Sequence, residues 1–253
     1  MCGRYTIAAP SEAIRRMFGF RNPLPNLPAR FNVAPTQDVP VVRLEGGVRT
    51  LAMVRWGLVP SWSKKMSPSA PLINARSESV ADKPSFRQAF RLRRCLVPLD
   101  GFYEWQVRPD GTKQPIHIHL KQGGLFALAG LWENWTAEDG TQVESMALVT
   151  TSANATLQPV HDRMPVIVPP EKFDVWLDVG QYGPREVTPL MVPAPNDLLA
   201  FHPVSTRVNR VANDDPGLIA AIIPAPEEPP KIAESRPGKS PAKGPGKGQL
   251  DLF

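Results

Sequence analysis

The chain has 253 residues, 42% of them hydrophobic and 21% charged, with a net charge of +5. That length suits one large domain or two small ones with a full core, and no apolar run reaches the roughly 18–20 residues of a membrane span. The mild basic excess admits a polyanionic partner without requiring one.

The first stretch, MCGRYT (residues 1–6), puts a cysteine directly after the initiator Met. Cys is small enough for the Met before it to be trimmed, which would leave Cys2 with a free α-amine beside its thiol. No basic segment followed by an apolar one marks a secretory signal, so a reducing, cytoplasmic setting is expected for Cys2 and Cys95. Neither CxxC nor HExxH occurs, and no metal or other cofactor is expected. SEAIRRMFGF (11–20) predicts a helix with Ser11 as its N-cap, closing at Gly19. VPVVRL and RTLAMVRW, on either side of a turn at EGG, predict a hairpin. VRWGLVPSW then sets Trp56 and Trp62 near Arg55, Lys64 and Lys65. Aromatics interleaved with cations can stack unpaired bases and hold phosphates, and core packing accounts equally well for at least one of these Trp residues.

LINARSES places Asn74 and Arg76 after an apolar pair and before a helix expected to begin at Ser77. Asn offers both a donor and an acceptor, and the Arg fork suits phosphate. RCLVPLDGFYEWQV and QPIHIHLK predict strands flanking the turn RPDGT. Within the first, Phe102 and Glu104 share one face, and Tyr103 and Trp105 the other. A carboxyl among aromatics is desolvated, which raises its pKa toward the range of a general acid or base. Cys95 reads as a buried small hydrophobe. His117 and His119 read as a packed or solvated pair on one strand face, and His202 receives no role. GLFALAGLWENW and VESMALVTT flank a further turn, and PPEKFDVWLD predicts a short helix with Pro at its start. In PVHDRMPV, His161 sits in a loop beside Asp162 and Arg163, with a side chain able to exchange protons near neutrality.

From about Pro224 the composition turns to Pro, Gly, Lys and Ser, which predicts a disordered linker over 225–248. The chain then closes on QLDLF (249–253), where Leu250, Leu252 and Phe253 are apolar anchors and Gln249 offers hydrogen bonds. This resembles the short peptide that docks on the bacterial DNA-polymerase sliding clamp. The body, 1–224, reads as one α+β domain of many short antiparallel strands and a few short helices.

Five stretches, MCGRYT, WGLVPSW, NARSES, RCLVPLDGFYEW and HDRMPV, occur in this order. Together they resemble the SRAP family (SOS-response-associated peptidase-like proteins) from Cys2 to about residue 222. The resemblance implies a barrel-like β-sheet core with short flanking helices. It implies recognition of abasic sites in single-stranded DNA and a covalent crosslink through the N-terminal Cys, here Cys2. Asn74, Glu104 and His161 match the other active-site positions, and Arg4, Arg76 and Arg163 match basic positions that contact the DNA backbone. Trp62 is the candidate stacking residue. A monomer acting at replication forks is expected, with removal of its own Met1. The competing reading is an N-terminal-cysteine hydrolase, a peptidase or a glutamine amidotransferase, in which the amine serves as base for the thiol. The residues after MCG do not continue like an amidotransferase. A non-catalytic DNA-binding module, the third class, would bind reversibly and leave no covalent product.

Overall fold

The computed structural model describes residues 2–23, 25–66 and 71–223. The predicted linker and the QLDLF peptide therefore lie outside the described residues. In chain order the strands are β1 (Tyr5–Ile7), β2 (Arg30–Val33), β3 (Asp38–Glu45), β4 (Val48–Trp56), β5 (Asn74–Arg76), β6 (Arg94–Leu99) and β7 (Gly101–Val107). They continue as β8 (Lys113–Leu120), β9 (Phe126–Thr136), β10 (Gln142–Ser152), β11 (Arg163–Pro165), β12 (Ile167–Val168) and β13 (Leu199–Pro203). Four short helices accompany them: α1 (Ser11–Phe18), α2 (Arg87–Leu92), α3 (Phe173–Leu177) and α4 (Pro184–Val187).

The three predicted hairpins form as β3–β4, β7–β8 and β9–β10. A barrel emerges from how they join. β4, β3, β6, β9 and β10 are successive antiparallel neighbours, and β10 returns to β4 through a short parallel pairing at Ser145 and Met146. Closure leaves those strands without a free edge. All six residues of β6 are buried, so it reads as a continuous apolar run instead of an alternating one. A second sheet, in the order β13-β8-β7-β1-β2, shares one apolar cluster with the barrel. Tyr5 of that sheet meets Trp56 of the barrel with ring centroids 5.3 Å apart.

Three local expectations change. The run 94–107 is not one strand: it splits at Asp100 into β6 of the barrel and β7 of the second sheet. The Asp100 carboxylate causes the break by accepting the backbone N–H groups of Ala8 and Ala9 and the Thr6 hydroxyl. Ser11 is the first residue of α1 and not its cap; Pro10 occupies that position and gives no side-chain bond. Gly19 does close the helix, at φ 68°, with its N–H on the Arg15 carbonyl. No helix begins at Ser77: residues 77–82 form turns. Lys83 precedes Pro84, which disfavours helical backbone at that point, and the helix starts only at Arg87.

Packing at the barrel core is tight around Gly130. A Cβ there would lie 2.7 Å from Cys95 Sγ and 3.0 Å from Val97 Cγ2. Gly130→Ala is therefore expected to destabilise the fold by about 1–3 kcal/mol, read as a lower urea midpoint. An unchanged midpoint would show that the barrel is looser than it looks. Arg94, fully buried, donates to the carbonyls of Phe90, Trp176 and Tyr182 and so ties β6 to α3. Burial pulls its pKa down to about 10, which leaves it charged.

Candidate active site

The site forms where the start of the chain crosses from the second sheet toward the barrel. β1 pairs with β7 at Tyr5 and Phe102, and the Tyr103 N–H donates to the Arg4 carbonyl at 3.0 Å. That register brings Cys2 into the electrostatic reach of Glu104. On the barrel side β5 pairs in parallel with β10, placing Asn74 opposite Leu148. Asn74 Nδ2 donates to the Cys2 carbonyl at 2.9 Å, across 72 residues of sequence. Asn74 Oδ1 is buried and makes no hydrogen bond among the described residues.

Cys2 is 0% exposed. Burial, and then the Glu104 carboxylate, push its thiol pKa well above the ordinary value; the chain's amino terminus and the Arg4 backbone oppose this. The sulfur is thus a neutral thiol at rest, 3.9 Å from the Arg4 carbonyl oxygen. Glu104 is 3% exposed, which rules out an edge-strand carboxylate facing water. Burial drives its pKa up to about 7; the positive amino terminus works against that, and Asp162 adds to it. A carboxyl at that value is populated in both forms at neutral pH.

His161 lies in the loop between β10 and β11, its N–H on the Leu157 carbonyl at 3.0 Å. Two groups compete for its Nδ1: the Arg163 N–H at 3.0 Å and Asp162 Oδ1 at 2.7 Å. One nitrogen cannot serve both. With Nδ1 bare the ring accepts from Arg163, and with Nδ1 protonated it donates to Asp162. Burial lowers the His161 pKa, with the amino terminus and Arg163 acting in the same sense and Asp162 against, so the neutral form is favoured. The amino-terminal charge acts on Cys2, Glu104 and His161 alike. These three groups therefore lie within electrostatic reach of the start of the chain, and Asn74 holds the Cys2 backbone.

The candidate DNA-contacting residues divide. Arg76 is exposed, and Trp62 is 65% exposed. Arg4 donates to Asn32 Oδ1 and the Val208 carbonyl, both at 2.8 Å, and lies over the Trp105 ring. Arg163 forks onto Glu78 at 2.6 and 3.0 Å and reaches the Thr150 carbonyl at 2.7 Å. In the free protein these two arginines brace the walls of the site. A groove of about 800 Å³ runs beside Trp62 and is also lined by Arg87, Gln88 and Arg93. Sequence reasoning passed over Arg87 and Arg93. Their signal is the basic run FRQAFRLRR, which reads as an ordinary amphipathic segment until Trp62 is placed beside it.

The family model for SOS response associated peptidase (SRAP) matches residues 1–211. The chain belongs to the SRAP family. It is 37% identical to the abasic site processing protein YoqW of Bacillus subtilis, over 87% of this chain and 99% of that one. It is 32% identical to the abasic site processing protein HMCES of Mus musculus, over 87% of this chain and 76% of that one. Among solved structures, a Bordetella bronchiseptica protein superposes with a TM-score of 0.71 at 25% identity, covering 81% of this chain and all of the other. A Bacteroides thetaiotaomicron protein shares the fold, with a TM-score of 0.78 at 22% identity and 88% of this chain covered. The SRAP match spans every segment that contributes to the site, from Cys2 to His161. Among the described residues no helix is long and apolar enough to cross a membrane.

Proposed function

We propose that this protein processes abasic sites in single-stranded DNA, and that it does so by a covalent crosslink through Cys2. The observation that carries the reading is the Asn74 bond to the Cys2 carbonyl, which ties the head of the chain to the barrel within electrostatic reach of Glu104. Membership of a family whose curated relatives are named for abasic site processing supports the substrate class.

The chemistry follows from what an N-terminal cysteine offers. Removal of Met1 gives Cys2 a free α-amine, with an ordinary pKa of about 7.7–8.0. The ring-opened abasic sugar presents an aldehyde. The amine adds to that carbon to give a carbinolamine, and loss of one water gives the Schiff base. The thiol then adds across the C=N bond: a C–S bond forms, the sulfur proton passes to nitrogen, and a five-membered thiazolidine results. No oxidant or reductant is consumed. Glu104 serves as proton donor and acceptor for the addition and the loss of water. Asn74 orients the terminus, and His161, favoured neutral, exchanges protons with the opened sugar. Exposed Arg76 and Trp62 suit phosphate holding and base stacking, which makes affinity fall with salt.

The test is a denaturing gel of the purified protein with an oligonucleotide carrying one abasic site. The reading expects a slow-migrating, heat-stable band with abasic single strands and none with intact DNA. Turnover of glutamine or a peptide with no such band would favour the N-terminal hydrolase instead.

The C-terminal QLDLF is read as a docking peptide for the sliding clamp, presented by the Pro- and Gly-rich segment before it. Such a tether raises the local concentration of the catalytic domain at replicating DNA. Deleting residues 249–253 is expected to abolish clamp binding in a surface-plasmon assay and to leave crosslinking unchanged. Full clamp affinity in the truncated protein would refute this part of the proposal.

A further inference from the structure

His117, His119 and His202 meet on the second sheet, although the sequence reads two of them as a packed or solvated pair and gives the third no role. His117 and His119 are two apart on β8 and share a face, and β13 places His202 directly opposite His117. The three rings pack with centroids 5.3–5.5 Å apart. One ring nitrogen from each lies within 4.8 Å of one from each of the others.

Three observations distinguish this cluster from ordinary packing. First, His117 is 5% exposed, and both of its ring nitrogens are buried without a hydrogen-bond partner among the described residues. A buried N–H and a buried lone pair are costly to leave unpaired. Second, the other two rings are already oriented. His119 Nδ1 sits 2.8 Å from the Leu120 carbonyl, and His202 Nε2 sits 2.9 Å from the Ile219 carbonyl. A carbonyl can only accept, so these nitrogens carry the protons. The lone pairs are then at His119 Nε2 and His202 Nδ1. Bonding of the remote ring N–H to a backbone carbonyl is how metal-ligating histidines are held. Third, the neighbouring strand makes room. A Cβ at Gly101, opposite His119 on β7, would lie 2.3 Å from His117 Nε2.

We propose that His117, His119 and His202 bind one divalent late transition-metal ion, with Zn²⁺ the expected occupant. Imidazole nitrogens suit this class of ion and not Mg²⁺ or Ca²⁺. Three nitrogens about 2.0–2.1 Å from a tetrahedral zinc lie roughly 3.3 Å apart. Small shifts of the half-buried His119 and His202 side chains that keep their carbonyl bonds close the remaining gap, and their side of the cluster gives the ion its way in. Tyr103, whose ring packs 5.1 Å from His117, commits its hydroxyl to the Phe31 carbonyl and leaves the fourth position to water. The site is separate from the catalytic one. Tyr103 is on its face of β7, and Glu104, the next residue, is on the other. Its effect is to staple β13, an edge strand, to β8. The segment after β13 carries the Val208 carbonyl that holds Arg4, so the staple also steadies one wall of the active site.

The test uses tag-free, full-length protein stripped with a chelator and titrated with ZnCl2 by calorimetry. One saturable Zn²⁺ per chain is expected. Tm should rise by about 5 °C or more at a hundredfold excess over Kd. His117 is buried and its replacement risks the fold, so the partly exposed pair carries the mutational arm. His119→Gln and His202→Gln should each weaken binding at least about tenfold and abolish the Tm rise. No saturable binding, or binding unchanged in both variants, would overturn the proposal.

Discussion

Cys2→Ala protein is expected to give no heat-stable adduct with abasic single-stranded DNA, against near-complete adduct for the unaltered chain. The substitution keeps an α-amine at the same place, so the Schiff base can still form. What it removes is the sulfur that closes on the imine carbon, and an imine hydrolyses on denaturation. Trapping with borohydride should therefore recover an amine-linked adduct from Cys2→Ala, while the untreated sample shows none. Among the described residues the sulfur's polar contact is the weak 3.9 Å approach to the Arg4 carbonyl, so the substitution breaks no strong hydrogen bond. Equal yields of stable adduct from both proteins would remove the thiazolidine from the mechanism.

Glu104→Gln is expected to slow crosslinking by about 10²–10⁴-fold, the usual contribution of a positioned acid or base. The amide is the same size and remains a hydrogen-bonding group, so a purely structural role for Glu104 would leave the rate nearly intact. Two pH dependences separate the readings. The rate of the unaltered protein should show an inflection near the Glu104 value of about 7, and the variant should lack it. Stability should move as well. Because the folded-state pKa lies above the ordinary 4.5, the native protein holds this proton more tightly than the unfolded chain does. That preference stabilises the fold below about pH 4.5 and is lost as pH rises through 7. The displacement corresponds to up to about 3 kcal/mol. Glu104→Gln should therefore gain stability relative to the unaltered protein between pH 4.5 and pH 8, measured as a difference in urea midpoints. A constant difference would mean that Glu104 is not the group titrating there.

Local hairpins were legible in the sequence because each joins two apolar runs across a turn marked by Gly-Gly or Asp-Gly. The barrel was not legible from residues alone. Its closure depends on two residues of β10, Ser145 and Met146, meeting β4 in parallel, and no local pattern encodes a pairing ninety residues away. The split at Asp100 was hidden for the same reason. A single Asp inside an apolar run looks like a polar interruption until the N–H groups of Ala8 and Ala9 arrive from the start of the chain. Glu104 was readable as a desolvated carboxyl from its neighbours Tyr103 and Trp105, and burial agrees. Asn74 was readable only as a donor and acceptor in a suggestive place; its bond to the Cys2 carbonyl is purely tertiary. His202 illustrates the limit most clearly. Before a Pro and 83 residues from His119, it carried no signal, and strand pairing alone brings it to the other two rings.

The central claim is that a Met1-free Cys2 joins the abasic sugar through both its amine and its sulfur. Intact mass of the full-length protein, before and after incubation with a single-stranded oligonucleotide bearing one abasic site, tests it most directly. The expected spectrum before incubation lacks Met1. Afterwards a new species should appear at the mass of the protein plus the oligonucleotide minus one water, and it should survive heat and denaturant. A Met1-free protein that gains no such mass, or an adduct formed on protein that retains Met1, would contradict the account.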